Sequence, residues 1–238
     1  MKFFSRLCPA VFALGLLTSS ALPAQVPAER SADADAILQR LRMSQTLSNL
    51  TLQGHLRVSS KKTPFILKLA GPQSTYTFSD TGESLRLSLG ETDSKIEEIA
   101  ADGSVKAVSS RQFADKVGGT PMTYEDISLR FLYWPHASVE GDENVNSFDC
   151  WKIWVATPKG SGSQYAGAYI WAAKKGGALM RVDCYAPGSI LAKRFRVISG
   201  QEIKREWVLK SMRIESYDPP GSAKPSISYL EIDGAAAE

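Results

Sequence analysis

Two histidines, His55 and His136, and three cysteines, Cys8, Cys150 and Cys184, are the side chains best suited to metal or nucleophilic chemistry. Their spacing supports neither. No His-x-x-x-His, Cys-x-x-Cys or Gly-x-Ser-x-Gly pattern brings them together, so zinc and serine-hydrolase chemistry lack their usual ligands and nucleophile. Gly118-Gly119 is not followed by the Gly-Lys-Ser/Thr of a phosphate loop. Glu97-Glu98 falls in a strand pattern, where neighbours face opposite ways, and Glu125-Asp126 falls where a helix dipole welcomes acids. His55 sits on the polar side of its strand, which predicts a solvated ring, and His136 follows Trp134-Pro135 in a loop. The expectation is therefore no catalytic residue, no metal and no cofactor. The working part should be a shaped surface or a cavity.

The amino terminus reads as an export signal. Lys2 and Arg6 form a basic start, Val11–Leu17 an apolar run, and Leu22-Pro23-Ala24 a small-residue cleavage site before Gln25. The apolar run is far short of the roughly 20 residues a membrane-spanning helix needs. Removing residues 1–24 takes the 28 Lys+Arg to 26 against 25 Asp+Glu, so the formal charge falls from +3 to +1. That balance calls for no nucleic acid. The remainder, 25–238, is expected as a single domain and a monomer, with frayed ends. Cys8 leaves with the signal. Cys150 and Cys184 fall on strands separated by a third, about 9.5 Å apart at two strand spacings, beyond disulfide reach. Both are expected as buried free thiols, with a bridge left open for a strand order that is not sequential.

The rest alternates. Leu50, Leu52, Leu56 and Val58 share one side of a strand with Gln53, His55 and Arg57 on the other. Phe65, Leu67 and Leu69 repeat the pattern, as do Tyr76 with Phe78, and Leu85 with Leu87 and Leu89. Asp102-Gly103 marks a tight hairpin. Further strands are expected at Phe148–Thr157, Tyr165–Ala173, Leu179–Tyr185, Ile190–Ile198, Glu206–Tyr217 and Ser226–Ile232. Short strands without helical crossovers predict a mainly β, antiparallel sheet, and so many sequential strands must curl or close. Two helices interrupt it. Ser31 is expected to cap an amphipathic segment to Ser44, with Ile37, Leu38 and Leu41 on its apolar side. Thr123, followed by Tyr124, Glu125 and Asp126, is expected to start a helix reaching Trp134, with Ile127, Phe131 and Leu132 at helical spacing. Two readings stay open for it: a plug at one end of the sheet, or a movable lid.

Two surface features carry the same ambiguity. Lys193, Arg194, Arg196, Lys204, Arg205, Lys210 and Arg213 form a basic cluster that is either a solvated face or a landing site for anionic headgroups or an acidic partner. Trp151, Trp154, Trp171 and Trp207 are either packing or a ligand cage.

The segment Gly118-Gly119-Thr120-Pro121-Met122-Thr123-Tyr124-Glu125-Asp126-Ile127 resembles the outer-membrane lipoprotein-sorting family, in its LolA-like branch. So do Cys150-Trp151, Pro158 with Tyr165, Ile170-Trp171, Tyr185-Ala186-Pro187-Gly188 and Lys193-Arg194-Phe195. The likeness extends over about residues 35–232. It implies an incomplete β-barrel (a strongly curved antiparallel half-barrel) with a helical lid over an apolar cavity that holds acyl chains. It further implies a periplasmic, non-enzymatic carrier for the acyl chains of lipoproteins or other lipids, with membrane-bound donor or acceptor proteins as partners. On that reading Leu52, Leu56, Phe65, Leu67, Phe78, Leu85, Leu87, Ile127 and Phe131 line the cavity, and Thr123–Asp126 belong to the lid. The alternative is an envelope interaction or signalling module with the same fold and a filled core.

Overall fold

The computed structural model describes residues 28–44 and 49–236, with side chains from Ala34 onward. The expected export signal lies outside the described residues. Six strands come first: β1 (Leu50–Val58), β2 (Lys61–Ala70), β3 (Gln73–Phe78), β4 (Ser84–Leu89), β5 (Ser94–Ile99) and β6 (Val105–Ala107). Seven follow a long connection: β7 (Ser138–Val145), β8 (Phe148–Ala156), β9 (Gly167–Ala173), β10 (Leu179–Ala186), β11 (Ile190–Ile203), β12 (Glu206–Ser216) and β13 (Ser226–Ala235). Each set is an antiparallel meander, because short turns can join only antiparallel neighbours. The two meanders fuse where β1 pairs with β13, giving one 13-stranded sheet with the order β6-β5-β4-β3-β2-β1-β13-β12-β11-β10-β9-β8-β7. It is mainly β and not closed: β6 and β7 are its two edges.

One face of each strand supplies the core. Leu52, Leu56, Phe65, Phe78 and Leu85 from the first meander share a buried cluster with Ile153, Val155, Ile170, Val182 and Ile214 from the second. Alternation demands a cover for that face. Helix α1 (Ala28–Ser44) is half of it, burying Ala34, Ile37, Leu38 and Leu41. It begins before Ser31, which is therefore not its cap. The other half is the connection from Val108 to Ala137, which bridges the two sheet edges. It holds a single α-helical turn, α2 (Tyr124–Ile127), and then a 3₁₀ turn at Arg130–Tyr133.

The expected helix from Thr123 to Trp134 is thus broken. Leu129 takes a left-handed conformation at φ 52°, which stops helical propagation. The reason is burial on every side. Tyr124, Glu125, Asp126, Ile127, Phe131 and Leu132 are all buried, whereas an amphipathic helix needs a solvent face. The opposite, convex face carries a small second cluster, with Val145, Cys150, Trp171, Ala173 and Met180. Cys150 lies there and Cys184 lies in the main core, so the two free, buried thiols are separated by the sheet itself.

Candidate functional site

The Tyr124-Glu125-Asp126 turn is built by its own sequence. Thr123 is extended at φ −101° and caps it; its hydroxyl accepts from the Asp126 N–H at 3.3 Å. The Asp126 carboxylate returns the favour, accepting from the Thr123 N–H at 2.8 Å. This reciprocal box satisfies the donors a helix start leaves over. What the three side chains then do is tie the connection to both walls of the sheet.

Tyr124 reaches the first meander. Its hydroxyl donates to Glu98 at 2.6 Å and stands 3.2 Å from Glu83, whose other oxygen accepts the Gly118 N–H at 3.0 Å. Burial and these two carboxylates push its phenol far above the ordinary value. Glu125 and Asp126 reach the second meander. The Glu125 carboxylate accepts the Gln164 N–H at 3.1 Å. Asp126 accepts from the Tyr165 hydroxyl at 2.7 Å and from the Lys193 ammonium at 2.5 Å, and Lys193 also donates to the Pro121 carbonyl at 3.1 Å. Burial, and after it Asp126, raise the Tyr165 phenol; burial also raises the Glu125 carboxyl against the pull of the Gln164 N–H and Arg130. We refer to this arrangement as the clasp.

Helix α1 is joined to the same connection. Arg42 donates to the Leu132 carbonyl at 2.7 Å and lies 5.0 Å from the Tyr133 ring centre. Tyr133 in turn donates to the Gly90 carbonyl at 3.2 Å.

The residues expected to line a cavity all face this interior. Leu52, Leu56, Phe65, Leu67, Phe78, Leu85, Ile127 and Phe131 meet in the main cluster, while Leu87 is buried on the same face at its margin. Their exposure is 0–8%, so each is packed almost wholly against other parts of the protein. The space between sheet and clasp is filled by side chains, as native interiors are.

Several expectations need correction. His55 is not solvated: it is 7% exposed, with Asp233 at 2.9 Å from one ring nitrogen and Glu231 at 3.0 Å from the other. The physical reason is that β13 lays two carboxylates beside it on the convex face. The basic cluster is not one surface. Lys193 points inward to Asp126, while Arg194 pairs bidentately with buried Asp183 and, with Arg196 and Arg213, surrounds Glu215. Buried Asp183 and Glu215, opposite Arg194 on its two flanking strands, neutralise that face. Glu97 and Glu98 point to opposite faces as alternation requires, Glu97 to Arg86 and Glu98 to Tyr124. The tryptophans divide too: Trp171 is buried and donates to Glu143, Trp154 packs at a tilt against Tyr169 with ring centres 4.8 Å apart, and Trp207 is 70% exposed. Among the described residues no group of three or more His, Cys, Asp or Glu could hold a metal ion.

The fold can be set against known proteins. A family model described as "Uncharacterized protein" matches residues 99–233, more than half of the chain, and solved LolA-superfamily structures share the fold. The chain belongs to the family that this model describes.

The chain superposes on a DUF1329 family protein from Desulfovibrio piger with a TM-score of 0.64 at 19% identity, over 86% of this chain and 91% of that one. A domain described as an outer membrane lipoprotein-sorting protein, from Vibrio parahaemolyticus, gives 0.65 at 16% identity, over 87% and 92%. A LolA superfamily protein from Nitrosomonas europaea gives 0.57 at 13%, over 86% and 93%. At these identities the likeness is one of fold. No curated protein sequence matches the chain.

Proposed function

We propose that this LolA-like chain is an exported, periplasmic, non-catalytic carrier that takes an acyl chain of a lipoprotein or lipid between the concave sheet face and the clasp. One observation carries the reading: the connection over the apolar face contributes no strand to the 13-stranded sheet and is held to its walls largely by a small set of side-chain bonds. Moving it would uncover a continuous apolar surface shared by both meanders, with Leu52, Leu56, Phe65, Leu67, Phe78, Leu85 and Leu87 on the wall and Ile127 and Phe131 on the cover. Each methylene removed from water contributes about 0.8 kcal/mol. A dozen give roughly 10 kcal/mol gross, enough for micromolar binding (about 8 kcal/mol) if opening and ordering cost only a few. The packed interior is then the unloaded, closed state, and Thr123–Asp126 act as its latch.

The test is uptake by the delipidated mature protein of a fluorescent fatty acyl probe, with native mass spectrometry to count bound chains. Tyr124→Phe removes the bonds to Glu83 and Glu98 but keeps the ring, so it should speed uptake severalfold. If neither the natural protein nor this variant ever takes up the probe, the carrier reading falls. The filled interior favours a second reading, an interaction module whose partner is a protein. It predicts no acyl uptake and no effect of Tyr124→Phe on partner binding.

A further inference from the structure

A cavity opens at the margin of this packed interior. Where α1 crosses the end of the second meander, a cavity of about 330 Å³ is lined by Ile37 and Arg40 of α1, Trp151 of β8, and Lys174, Gly176 and Gly177 of the turn between β9 and β10. Its floor and rim differ in chemistry. Ile37 belongs to the main core and Trp151 packs against it, so the floor is the apolar interior itself. The rim is cationic. The Arg40 guanidinium lies 5.7 Å and the Lys174 ammonium 6.0 Å from the Trp151 ring centre. Both cations therefore sit over one indole at the mouth.

Neither cation is firmly committed elsewhere. Arg40 makes a long 3.4 Å bond from Nε to the Ala36 carbonyl in its own helix, which uses one of the five guanidinium donors. Lys174 pairs with Asp142 at 2.5 Å, but Asp142 is 64% exposed, and such exposed pairs contribute little and exchange readily. The backbone beside them is open. Gly176 and Gly177 hold left-handed conformations at φ 84° and 64°, and a Cβ built on either would meet nothing within 4 Å. A bulky anion can approach that turn without collision.

We propose that this cavity recognises the anionic headgroup, phosphate or carboxylate, of a single-chain amphiphile whose tail passes Ile37 and Trp151 into the interior. Arg40 and Lys174 hold the head, and the indole covers the first methylenes. The inference rests on the acyl-chain reading above and adds to it the charge, the orientation and the entry point of the ligand.

Three probes of equal chain length separate the possibilities by isothermal titration of the mature protein: dodecyl phosphate, dodecanoate and dodecanol, with inorganic phosphate as a fourth. At least one anionic amphiphile should bind tenfold or more tightly than dodecanol, with the preference shrinking as salt rises. A preference for both anions means the site reads charge; a preference for the phosphate alone means it reads a phosphate head. The double substitution Arg40→Gln with Lys174→Gln should cut the preference below threefold, and Arg40→Lys should restore part of it. Both side chains are exposed, and thermal melts verify that the variants fold. Equal binding of dodecanol and the anions overturns the headgroup site while leaving the acyl reading intact. Inorganic phosphate binding as tightly as dodecyl phosphate overturns the tail route. No binding of any amphiphile removes both readings together.

Discussion

Glu125 is the residue whose charge the fold tolerates least. Burial raises its carboxyl above the ordinary value, more than the Gln164 N–H and Arg130 can offset. A carboxyl raised on folding favours the native state while it is protonated, and that advantage is lost as pH rises through the native value. The loss sets in above about pH 4.3, where the unfolded chain's carboxyl ionises. Glu125→Gln keeps an oxygen for the Gln164 N–H and has no charge to bury, so its melting temperature should exceed the natural protein's at pH 7.5. The two should converge below about pH 4, where Glu itself is protonated. A variant less stable than the natural protein at pH 7.5 would contradict this. Asp126 and Lys193 behave differently, because each has the other. Lys193→Met leaves a buried carboxylate without its cation and should cost about 3–5 kcal/mol in urea unfolding. Adding Asp126→Asn should recover most of that loss, since the uncompensated charge is then gone. The cap at Thr123 is legible in the sequence because it is local, with donor and acceptor three residues apart. The inward turn of Lys193 is not, because its partner is 67 residues away and the residues around it read as one basic cluster.

Among the elements, the seam between β1 and β13 joins the two meanders. Gly54 stands at its bulge, where a Cβ would come within 2.4 Å of the Glu231 carbonyl oxygen and 2.9 Å of the Phe65 ring. Gly54→Ala should therefore destabilise by about 2 kcal/mol or more, as overpacking does. The measurement is urea unfolding, and an unchanged midpoint would show that the seam yields without strain. Most strands are legible from their period of two, including the three that carry Cys150, Trp171 and Cys184. β7 is not. Its sequence Ser-Val-Glu-Gly-Asp-Glu-Asn-Val has no alternation, because an edge strand with charged side chains buries little and guards against pairing with another chain. The helix from Thr123 to Trp134 is over-read for the opposite reason. Its apolar spacing is real, but Leu129 reverses its backbone so that both flanks of the segment can be buried.

At the scale of the whole molecule, the sheet is held by continuous backbone ladders while its cover is held chiefly by side chains. Those classes of bond should open at different free energies. Amides of Val117–Ser128 should exchange with deuterium sooner than those of Leu52–Leu56 in the seam, and uptake of an acyl probe should alter the former first. Exchange in the reverse order would make the clasp a rigid plug. What the sequence by itself determined is the set of elements whose signals are short in range: a mainly β antiparallel chain with one apolar face, a helix at the front and a capped turn at Thr123. Only the tertiary structure decided that β1 meets β13, that Tyr124, Glu125 and Asp126 reach separate walls, that the Val108–Ala137 connection packs into the core, and that Arg40 and Lys174 share an indole. Alternation reports which side of a strand avoids water, and it does so residue by residue. Which distant side chain arrives to cover that side depends on how the sheet curves, and no local period records it.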